Sequence, residues 1–495
     1  MRRLRVGRKE MAGTKNIDKQ AKDSIIAAFN RFDTGFKAQK GNCDIVLPPL
    51  SGRLHKTFIL NDATVPCENR NSRKYVVQKL SLTPFDLKAV EHMLRLLEIG
   101  QGHAESKGAY EKGGILEGWT KVKYYNVEGE GTKEISGRQV GQKIRYEFDK
   151  QGNPFTAWRV MEFVEGGIYD KLADIGEDIE DAQYRRQSQL RAAELLGEGM
   201  AKFVTLMSFM PEDAQFMDTL PGFHDTQGYV GEVNDLLAGQ EVPVRPGKGT
   251  PLAKMVDVLL DDRYQNGKYT ARVRRMIEIF RSTSSLADSF NGLPPNLRRA
   301  IAHGDLKVNN VIWATDEMGR PDHVKCFIDL DTVGIYTAFD DFGDAARSII
   351  NVLGENIWKE GRSLKEIVLD REVLENLVRG YLRGIKNLYI KSNLEELRVF
   401  LHRAVAVYFF QLGTRFLKAF LSELDRPADG DSKRHFVYFI KRSDEDLEET
   451  NLRLAEVQYT ALIRFLREFK DELKLDELNI VLNDLREPLG WRTCS

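Results

Sequence analysis

Two short polar elements near residue 300 constrain the fold of this chain more than any other feature. The first reads His303-Gly304-Asp305-Leu306-Lys307-Val308-Asn309-Asn310, so an asparagine follows an aspartate five residues later. The second reads Phe327-Ile328-Asp329-Leu330-Asp331 and places a further aspartate at the end of a short apolar run. This layout is typical of a phosphoryl-transfer site, in which one loop supplies a proton acceptor and a metal ligand and a second loop supplies another ligand.

The chemistry of that reaction gives each polar residue a role. Asp305 would accept the proton of an attacking hydroxyl, while Asn310 and Asp329 would hold Mg²⁺ ions that bridge the phosphates of ATP. Residues 311–313 and 324–328 have strand character and are joined by a turn rich in acids. A strand pair of this kind would carry Asn310 and Asp329 to neighbouring ends, so we expect the two elements to form one site.

Size and composition further limit the number of domains, the partners and the cellular compartment that we expect. The chain has 495 residues, 42% hydrophobic and 30% charged, which suits two or three globular domains. Its formal net charge of −1 gives no overall attraction to nucleic acid or to an anionic membrane, and we expect neither as a partner. The longest nearly apolar stretch, residues 404–412, is too short to span a bilayer. The four cysteines lie far apart and favour neither zinc nor disulfides, so a reducing cytoplasm is expected.

Strand patterns are concentrated in the first third of the chain. Residues 57–60, 74–80 and 158–164 read as strands, and 86–98 shows a helical period. Eleven glycines between Gly100 and Gly152 indicate an elaborated hairpin or insertion. The sequence therefore predicts an N-terminal arm and helix over 1–35, and an N-lobe over 36–165 that contains the glycine-rich insertion 100–152.

Beyond residue 165 the pattern is mainly helical, and the only strands we expect there are the pair that frames the catalytic loop. Helices are predicted at 192–209, 269–290, 371–392, 394–424 and 445–473. The aromatic run 408–410 is expected to be core. The predicted fold is α+β and two-lobed, like a protein kinase, with a small antiparallel sheet in the N-lobe and a mainly helical C-lobe. We place in the C-lobe, residues 166–495, a catalytic loop at 303–310, a metal loop at 328–333 and substrate-side helices at 365–475.

Such an architecture predicts the remaining nucleotide-binding residues of the small lobe. A strand lysine should reach the α- and β-phosphates and pair with a glutamate of the next helix. Lys79 and Glu91 fit these positions, with Glu98 as the competing partner. Gly52 lies in the turn that would cover the phosphates, although it is a single glycine and the signal is weak. Glu162 and Val164 lie where a hinge strand would offer backbone hydrogen bonds to adenine.

Several motifs spread along the chain resemble one family. The catalytic and metal loops resemble those of the aminoglycoside phosphotransferase and choline kinase superfamily. The fuller match is to its N-acetylhexosamine 1-kinase group, and it covers residues 40–470. The segments that carry it are Tyr75-Val76-Val77-Gln78-Lys79, Trp158-Arg159-Val160, Phe223-His224-Asp225-Thr226, Asp341-Phe342-Gly343-Asp344 and Gly413-Thr414-Arg415-Phe416-Leu417.

The resemblance implies transfer of the ATP γ-phosphate, with Mg²⁺, to the anomeric hydroxyl of a sugar or N-acetylamino sugar. It assigns Asp331 to the metal loop, as a ligand or as a supporting carboxylate, and Arg415 to the sugar. We also assign Arg53, in the phosphate turn, to the substrate side. That turn departs from the family pattern, and the insertion 100–152 and the stretch 425–450 are longer than usual, which puts the identity of the sugar in question.

Neighbouring polar residues are expected to be structural. Asp341 and Asp344 fit the first turn of a helix. His303 should tie the catalytic loop together through backbone bonds, and His224 should be a hydrogen-bonded structural residue.

Three alternatives stay open at this point. The acceptor could be an amino alcohol or an aminoglycoside, which would require a strongly acidic pocket. The acidic run 170–181 reads more simply as a solvated helix face. A nucleotide-binding regulatory or scaffold protein without activity is the alternative from another class. The long C-terminal helices are compatible with a homo-oligomer but do not indicate one.

Overall fold

A computed structural model of the chain describes most of its residues. The described ranges are 17–48, 55–63, 74–82, 85–211, 213–238, 270–291, 293, 295–385, 394–423, 447–482, 485 and 487. The basic arm at residues 1–16 and the phosphate turn that contains Gly52 and Arg53 lie outside these ranges.

The small lobe is built on a five-stranded antiparallel sheet. Its strands lie in the order β1–β2–β3–β7–β6, and β4 and β5 form a separate hairpin. The predicted run 74–80 coincides with β3, whereas β7 begins earlier than predicted because its first residues pair with β6. The strands are β1 (Cys43–Val46), β2 (Lys56–Asp62), β3 (Lys74–Leu80), β4 (Thr132–Ile135), β5 (Arg138–Gly141), β6 (Arg145–Phe148) and β7 (Pro154–Glu162).

The two faces of this sheet pack against different partners. Side chains alternate along a strand, so Tyr75 and Val77 of β3 share one face. That face is covered by helix α1 (Lys19–Phe29), whose Phe29 ring meets Tyr75 edge-on at 4.9 Å. Val76 and Leu80 point to the opposite face and join the main core, which continues into the helical lobe. The second face of the sheet is therefore the one that looks into the cleft.

Helix α2 (Leu87–Ser106) is longer than the predicted segment 86–98. Asp86 caps its N-terminus by accepting hydrogen bonds from the N–H groups of Lys88 and Ala89. The helix continues through Gly100. A Cβ atom at this position would come within 2.9 Å of the Met210 sulfur, so glycine permits the helix to pack closely on the helical lobe. The first part of the glycine-rich insertion is therefore helix, followed by turns and by the β4–β5 hairpin.

The turns after α2 fasten the small lobe to the large one. The Trp119 ring packs edge-on against Phe327 at a centroid distance of 5.2 Å. The Thr120 N–H donates to the Lys325 carbonyl at 2.6 Å, and the Lys202 ammonium donates to the Glu117 carbonyl. This segment of the insertion is thus part of the lobe interface.

The large lobe is mainly helical, as predicted. Every helix predicted from the periodicity is present, and a further helix, α4, was not predicted. The predicted starts at 371 and 394 are confirmed, whereas the predicted bounds 269, 392, 424 and 445 lie outside the described residues. The long helices are α3 (Ala182–Met207), α4 (Thr226–Ala238), α5 (Thr270–Thr283), α6 (Asp340–Ile350), α7 (Arg371–Ile385), α8 (Leu394–Glu423) and α9 (Leu447–Glu468); Pro295–Arg298 and Lys470–Leu473 are single turns. The prediction of a two-lobed α+β fold of the protein-kinase type is confirmed.

Two small sheets lie at the cleft, where the sequence predicted one. The expected pair is β9 (Val311–Thr315) with β10 (Pro321–Phe327). A second antiparallel pair, β8 (Ala300–Ala302) with β11 (Gly334–Tyr336), closes the same region. The expectation of a single strand pair was therefore wrong, because strands of three residues are too short to show an alternating pattern.

Helix α8 forms the centre of the large lobe. Its aromatic run Tyr408, Phe409 and Phe410 is buried, as expected for core. By length and composition alone the segment Leu394–Leu421 is apolar enough to cross a membrane, which the sequence reading did not anticipate. However, 78% of its most apolar window is buried inside the protein, as in the core helix of a helical lobe.

Candidate active site

The predicted catalytic loop leaves β8 and returns into β9 through a tight turn. The His303 ring holds it together, because Nε2 lies 2.9 Å from the Ile328 carbonyl oxygen and Nδ1 lies 3.3 Å from the Asp305 N–H. These partners require a proton on Nε2 and a lone pair on Nδ1 in the neutral ring. The ring is fully buried. The structural role predicted for His303 is confirmed.

A buried carboxylate holds the start of this loop from below. Asp341, in the first turn of α6, accepts hydrogen bonds from the N–H groups of His303 at 2.7 Å and Gly304 at 2.9 Å. Burial raises the pKa of Asp341 to about 6. Its predicted place in the first turn is confirmed. Asp344 lies beyond that turn and instead forms an ion pair with Arg347 at 2.6 Å, so the prediction for Asp344 was wrong.

Asp305 lies at the mouth of the loop beside a lysine. The Lys307 ammonium is 2.6 Å from Asp305 Oδ1. Burial opposes ionisation of Asp305, but Lys307, His303 and Arg347 together bring the pKa of Asp305 below its ordinary value. The carboxylate is therefore ionised at neutral pH and can accept a proton from a substrate. Sequence reasoning did not assign a role to Lys307, although its place two residues after the aspartate was the available signal.

The two loops meet where the sequence predicted. The Ile328 N–H donates to the Asn310 carbonyl at 2.9 Å and links the end of the catalytic loop to the start of the metal loop. Asp329 adopts a left-handed conformation, with φ of 63°, and is one of four non-glycine residues with positive φ in the described chain. Such backbone strain is often found at functional sites. This hydrogen bond brings the backbones of Asn310 and Asp329 close together at the ends of two tight turns.

The chemistry of these groups fits a magnesium ion. The Asn310 side-chain NH₂ donates to the Asp305 carbonyl at 2.7 Å, so its amide oxygen is the atom left to face a cation. Burial and the neighbouring Asp331 carboxylate raise the pKa of Asp329 to about 6, and a cation would relieve that repulsion. No cluster of three acidic, histidine or cysteine side chains forms a metal site in the described residues. Mg²⁺ commonly needs only one or two protein carboxylates, since phosphate oxygens and waters complete its shell.

Asp331 does not belong to this ligand set. Both of its carboxylate oxygens contact the Arg159 guanidinium, at 2.8 Å for the Oδ2 contact, and His55 Nε2 also lies 2.8 Å from Oδ2. Burial opposes ionisation, but Arg159 and His55 hold the pKa of Asp331 well below its ordinary value. The assignment of Asp331 as a metal ligand is therefore corrected: its oxygens are occupied by cations and donors of the small lobe.

The pairing of Lys79 with Glu91 is wrong. Lys79 is exposed on the face of β3 that carries Val77, and its ammonium lies 5.6 Å from the centre of the Trp158 ring. Glu91 accepts hydrogen bonds from the N–H groups of Lys143 and Ile144 at 2.6 and 3.0 Å. The competing partner Glu98 binds the Lys143 ammonium at 2.6 Å. The preceding residue, Gln78, lies with Val76 and Leu80 on the face of β3 that looks into the cleft.

The predicted hinge residues Glu162 and Val164 lie at and just after the end of β7. Glu162 ends β7, and its N–H donates to the Lys123 carbonyl at 3.0 Å, so that N–H is already used inside the protein. Val164 follows two residues later, before Gly167 and Trp313 exchange a pair of backbone hydrogen bonds at 2.9 Å. The hinge assignment of Glu162 and Val164 stays a prediction.

Arg415 lies on the helical side of the catalytic loop. Its guanidinium lies 4.6 Å from the centre of the Phe223 ring and 5.6 Å from that of Tyr229. The adjacent His224 reaches the catalytic loop directly, with Nε2 at 2.5 Å from the Gly304 carbonyl oxygen. The structural role predicted for His224 is confirmed, and Arg415 is brought to the same side of the cleft.

Sequence reasoning missed the residues that connect the lobes. Arg159 and His55 were not assigned to the site, although Arg159 had stood out within the motif Trp158-Arg159-Val160. A buried arginine on a strand was the available signal, but its partner lies 172 residues further along the chain.

Comparison with known proteins agrees with this geometry. The family model described as "Phosphotransferase enzyme family" matches residues 137–387, just over half of the chain. That range includes β7, the catalytic loop and the metal loop. A search among curated protein sequences gives no significant match.

Solved structures of similar proteins come from several organisms. A choline kinase from Cryptosporidium parvum is 11% identical, with a TM-score of 0.46 and coverage of 93% of this chain and 100% of that one. An ethanolamine kinase from Plasmodium vivax is 12% identical, with a TM-score of 0.45 and coverage of 92% of this chain and 91% of that one. An aminoglycoside phosphotransferase from Alicyclobacillus acidocaldarius is 11% identical, with a TM-score of 0.43 and coverage of 90% of this chain and 96% of that one. On the strength of the family match over 137–387, the chain belongs to the phosphotransferase enzyme family.

Proposed function

We propose that this protein is an ATP-dependent kinase that transfers the γ-phosphate to a hydroxyl group of a small molecule. The observation that carries the proposal is the convergence of Asp305, Asn310 and Asp329 on two turns joined by a 2.9 Å backbone hydrogen bond. Phosphoryl transfer requires positioning and charge neutralisation more than covalent help from the protein. Ionised and amide oxygens on two rigid turns supply what that reaction needs.

Each residue has a chemical role in this proposal. The Asp305 carboxylate accepts the proton of the acceptor hydroxyl as that oxygen attacks phosphorus. The Lys307 ammonium, 2.6 Å from Asp305, keeps the carboxylate ionised and adds positive charge where the phosphoryl oxygens would lie. Asn310 and Asp329 would hold Mg²⁺, which when bound neutralises the phosphate charges.

For the acceptor we propose a sugar or N-acetylamino sugar, phosphorylated at its anomeric hydroxyl. The support comes from the resemblance carried by the segment 413–417 and from the position of Arg415 next to aromatic rings. A guanidinium beside ring faces suits a polar, uncharged ring that offers hydroxyl groups and an apolar face.

The alternatives are disfavoured by particular contacts. A cationic amino alcohol or aminoglycoside needs free carboxylates, but in the acidic run Asp174 accepts from the Lys171 N–H and Asp181 caps α3. These two carboxylates of the run are used in local structure. A scaffold without activity would not need Asp305 held ionised beside Lys307, which is the ion-pair partner of that carboxylate among the described residues. Both alternatives remain outcomes of the experiment.

The experiment measures ADP release from ATP and Mg²⁺ with free sugars, N-acetylamino sugars, amino alcohols and aminoglycosides. We expect turnover with one sugar class, and Asp305→Asn should lower kcat by about 10²- to 10⁴-fold. Nucleotide binding by Asp305→Asn, measured by calorimetry, should stay close to wild type. Turnover with only a cationic acceptor would reject the sugar assignment. Nucleotide binding without turnover for any acceptor would favour the scaffold.

A further inference from the structure

A buried group of charged and polar side chains crosses from the small lobe to the metal loop, and the proposed chemistry does not use it. Its members are Arg159 of β7, Gln78 of β3, His55 before β2 and Asp331 of the metal loop. The side chains of Arg159 and Asp331 are 0% and 3% exposed, and that of His55 is 6% exposed. We call these four residues the interlobe cluster.

Every polar side chain of the interlobe cluster is held in one orientation. The Arg159 Nε–H donates to Gln78 Oε1 at 2.7 Å, and the Gln78 NH₂ donates to Thr57 at 3.1 Å. His55 Nδ1 accepts from the Ser81 N–H at 3.0 Å, so in the neutral ring the proton is on Nε2, the atom that faces Asp331. The guanidinium and the carboxylate of Asp331 form a two-point contact, which fixes direction as well as distance.

Stability alone is a poor reason for such a cluster. Removing two charges from water costs about as much free energy as their attraction returns, and buried ion pairs can often be replaced by apolar residues. The position of Asp331 supplies a different reason, because only Leu330 separates it from Asp329. Asp329 has a φ of 63°, a left-handed conformation that is uncommon for residues other than glycine and that surrounding contacts help to maintain. A fixed Asp331 is such a contact.

We infer that Arg159 is a positioning residue for the metal-binding carboxylate of Asp329, and that it acts through Asp331. By fixing Asp331 it holds the turn 329–331, and therefore keeps Asp329 beside Asn310. This inference rests on the proposed function. The Arg159 guanidinium, which reaches from the small lobe, is thus engaged by a carboxylate of the metal loop, while Lys79 of β3 lies over Trp158 on the other face of the sheet.

The inference predicts a change in the magnesium requirement. Loss of a partner that orients a metal ligand commonly weakens metal affinity by about 10- to 100-fold. Arginine cannot itself bind a cation, so reduced Mg²⁺ affinity in Arg159→Gln could not come from loss of a ligand. Arg159→Lys keeps the charge but not the two parallel hydrogen bonds, and should lie between wild type and Arg159→Gln.

A matched control exists in the helical lobe. Arg272 of α5 forms a two-point ion pair with Glu456 of α9, with Nε to Oε1 and Nη2 to Oε2 both at 2.7 Å. The Glu456 side chain is 0% exposed, so this pair is also buried. Arg272→Gln removes a comparable ion pair without touching either loop of the site.

The test is calorimetric titration of full-length protein with a non-hydrolysable ATP analogue at a series of Mg²⁺ concentrations. The quantity compared is the Mg²⁺ concentration that gives half-maximal nucleotide binding, and circular dichroism confirms that each variant is folded. We expect about a 10- to 100-fold increase for Arg159→Gln, a smaller increase for Arg159→Lys and no change for Arg272→Gln. Arg159→Lys carries the test if Arg159→Gln does not fold.

The outcomes separate this inference from the proposed function. If wild-type protein binds the analogue with Mg²⁺ and both Arg159 variants keep the wild-type Mg²⁺ dependence, the positioning role of Arg159 is refuted and the proposed function still stands. The same follows if Arg272→Gln shifts as far as Arg159→Gln, because the effect would then reflect stability. If wild-type protein shows no Mg²⁺-dependent binding, the proposed function fails and the inference fails with it.

Discussion

His224 Nε2 lies 2.5 Å from the carbonyl oxygen of Gly304, the residue immediately before the candidate base Asp305. Gly304 is also held through its N–H by Asp341 at 2.9 Å. Burial lowers the pKa of His224, so the ring is neutral at pH 7 and donates from Nε2. The peptide groups that orient Asp305 are thus fixed by a residue of α6 and by a residue of the turn that precedes α4.

Replacing His224 should impair turnover more than nucleotide binding. His224→Ala leaves the Gly304 carbonyl without this donor and lets the loop shift, and a displacement of about 1 Å can cost about 100-fold in rate. We expect kcat to fall by about 10- to 100-fold while the Kd for the nucleotide changes little. Steady-state kinetics and calorimetry measure the two quantities.

His92→Ala is the matched control for that experiment. His92 lies on α2, and its Nε2 is 2.5 Å from the Gln215 carbonyl oxygen, away from both loops. Its kcat should stay close to wild type. Equal losses of kcat in the two variants would contradict a specific role for His224.

Gly304→Ala should be poorly tolerated. Gly304 has a φ of 82°, and a Cβ there would come within 2.5 Å of the Thr332 carbonyl oxygen. Gly361 has a similar φ of 72°, but its Cβ would meet nothing within 4 Å. Both alanine variants carry the backbone penalty of about 1 kcal/mol, and only Gly304→Ala adds a clash at the loop. We expect a larger drop in melting temperature and a loss of turnover for Gly304→Ala alone; equal effects in thermal unfolding would refute this.

Asp341 should make stability depend on pH between about 4 and 6. The pKa of Asp341 is about 6 in the folded protein, against about 3.9 in an unfolded chain, so its contribution favours folding at low pH and is lost as pH rises through 6. Asp341→Asn removes that contribution. The unfolding free energy of wild type minus that of the variant should therefore increase by about 2 kcal/mol from pH 7 to pH 4.5. Urea unfolding at both pH values measures it, and a difference independent of pH would be the contrary result.

Arg415→Ala should affect the acceptor rather than ATP. Loss of a charged hydrogen-bond donor to a substrate costs about 1.5–3 kcal/mol, so KM for the sugar should rise by about 10- to 100-fold. KM for ATP should change little, because the predicted adenine-binding residues Glu162 and Val164 lie at and just after the end of β7 of the small lobe, whereas Arg415 lies on α8 of the large lobe. Lys418→Ala, one turn further along α8 and paired with Glu232, is the control. A rise in KM for ATP of the same size would argue against an acceptor role for Arg415.

The arrangement of the candidate catalytic and metal loops could be predicted because its geometry is local. Asp305 and Asn310 are separated by one tight turn, and a short strand pair returns the chain to Asp329, so the spacing nearly determines the arrangement. Strands of three residues, such as β8 and β11, carry too little pattern to be recognised, and they were missed for that reason.

The small lobe was harder to predict because strand periodicity does not say which face looks into the cleft. Lys79 and Gln78 are adjacent in sequence and point in opposite directions, and the choice of Lys79 was wrong. The partners of Arg159 and Glu91 are set by contacts between distant segments. Such pairing depends on the assembled fold, which no local pattern contains.

The anchoring of α2 has a consequence for control of the enzyme. Many two-lobed kinases are switched on and off by rotation of the corresponding helix, which makes or breaks a lysine–glutamate pair. Here Glu91 holds two backbone N–H groups of the small lobe, and His103 Nδ1 contacts the Phe209 carbonyl oxygen at 3.1 Å. Rotation would break these three contacts, and Lys79, which lies on the opposite face of β3, is not placed to pair with Glu91. Helix α2 is therefore expected to keep one position, and control by its rotation is not expected in this protein.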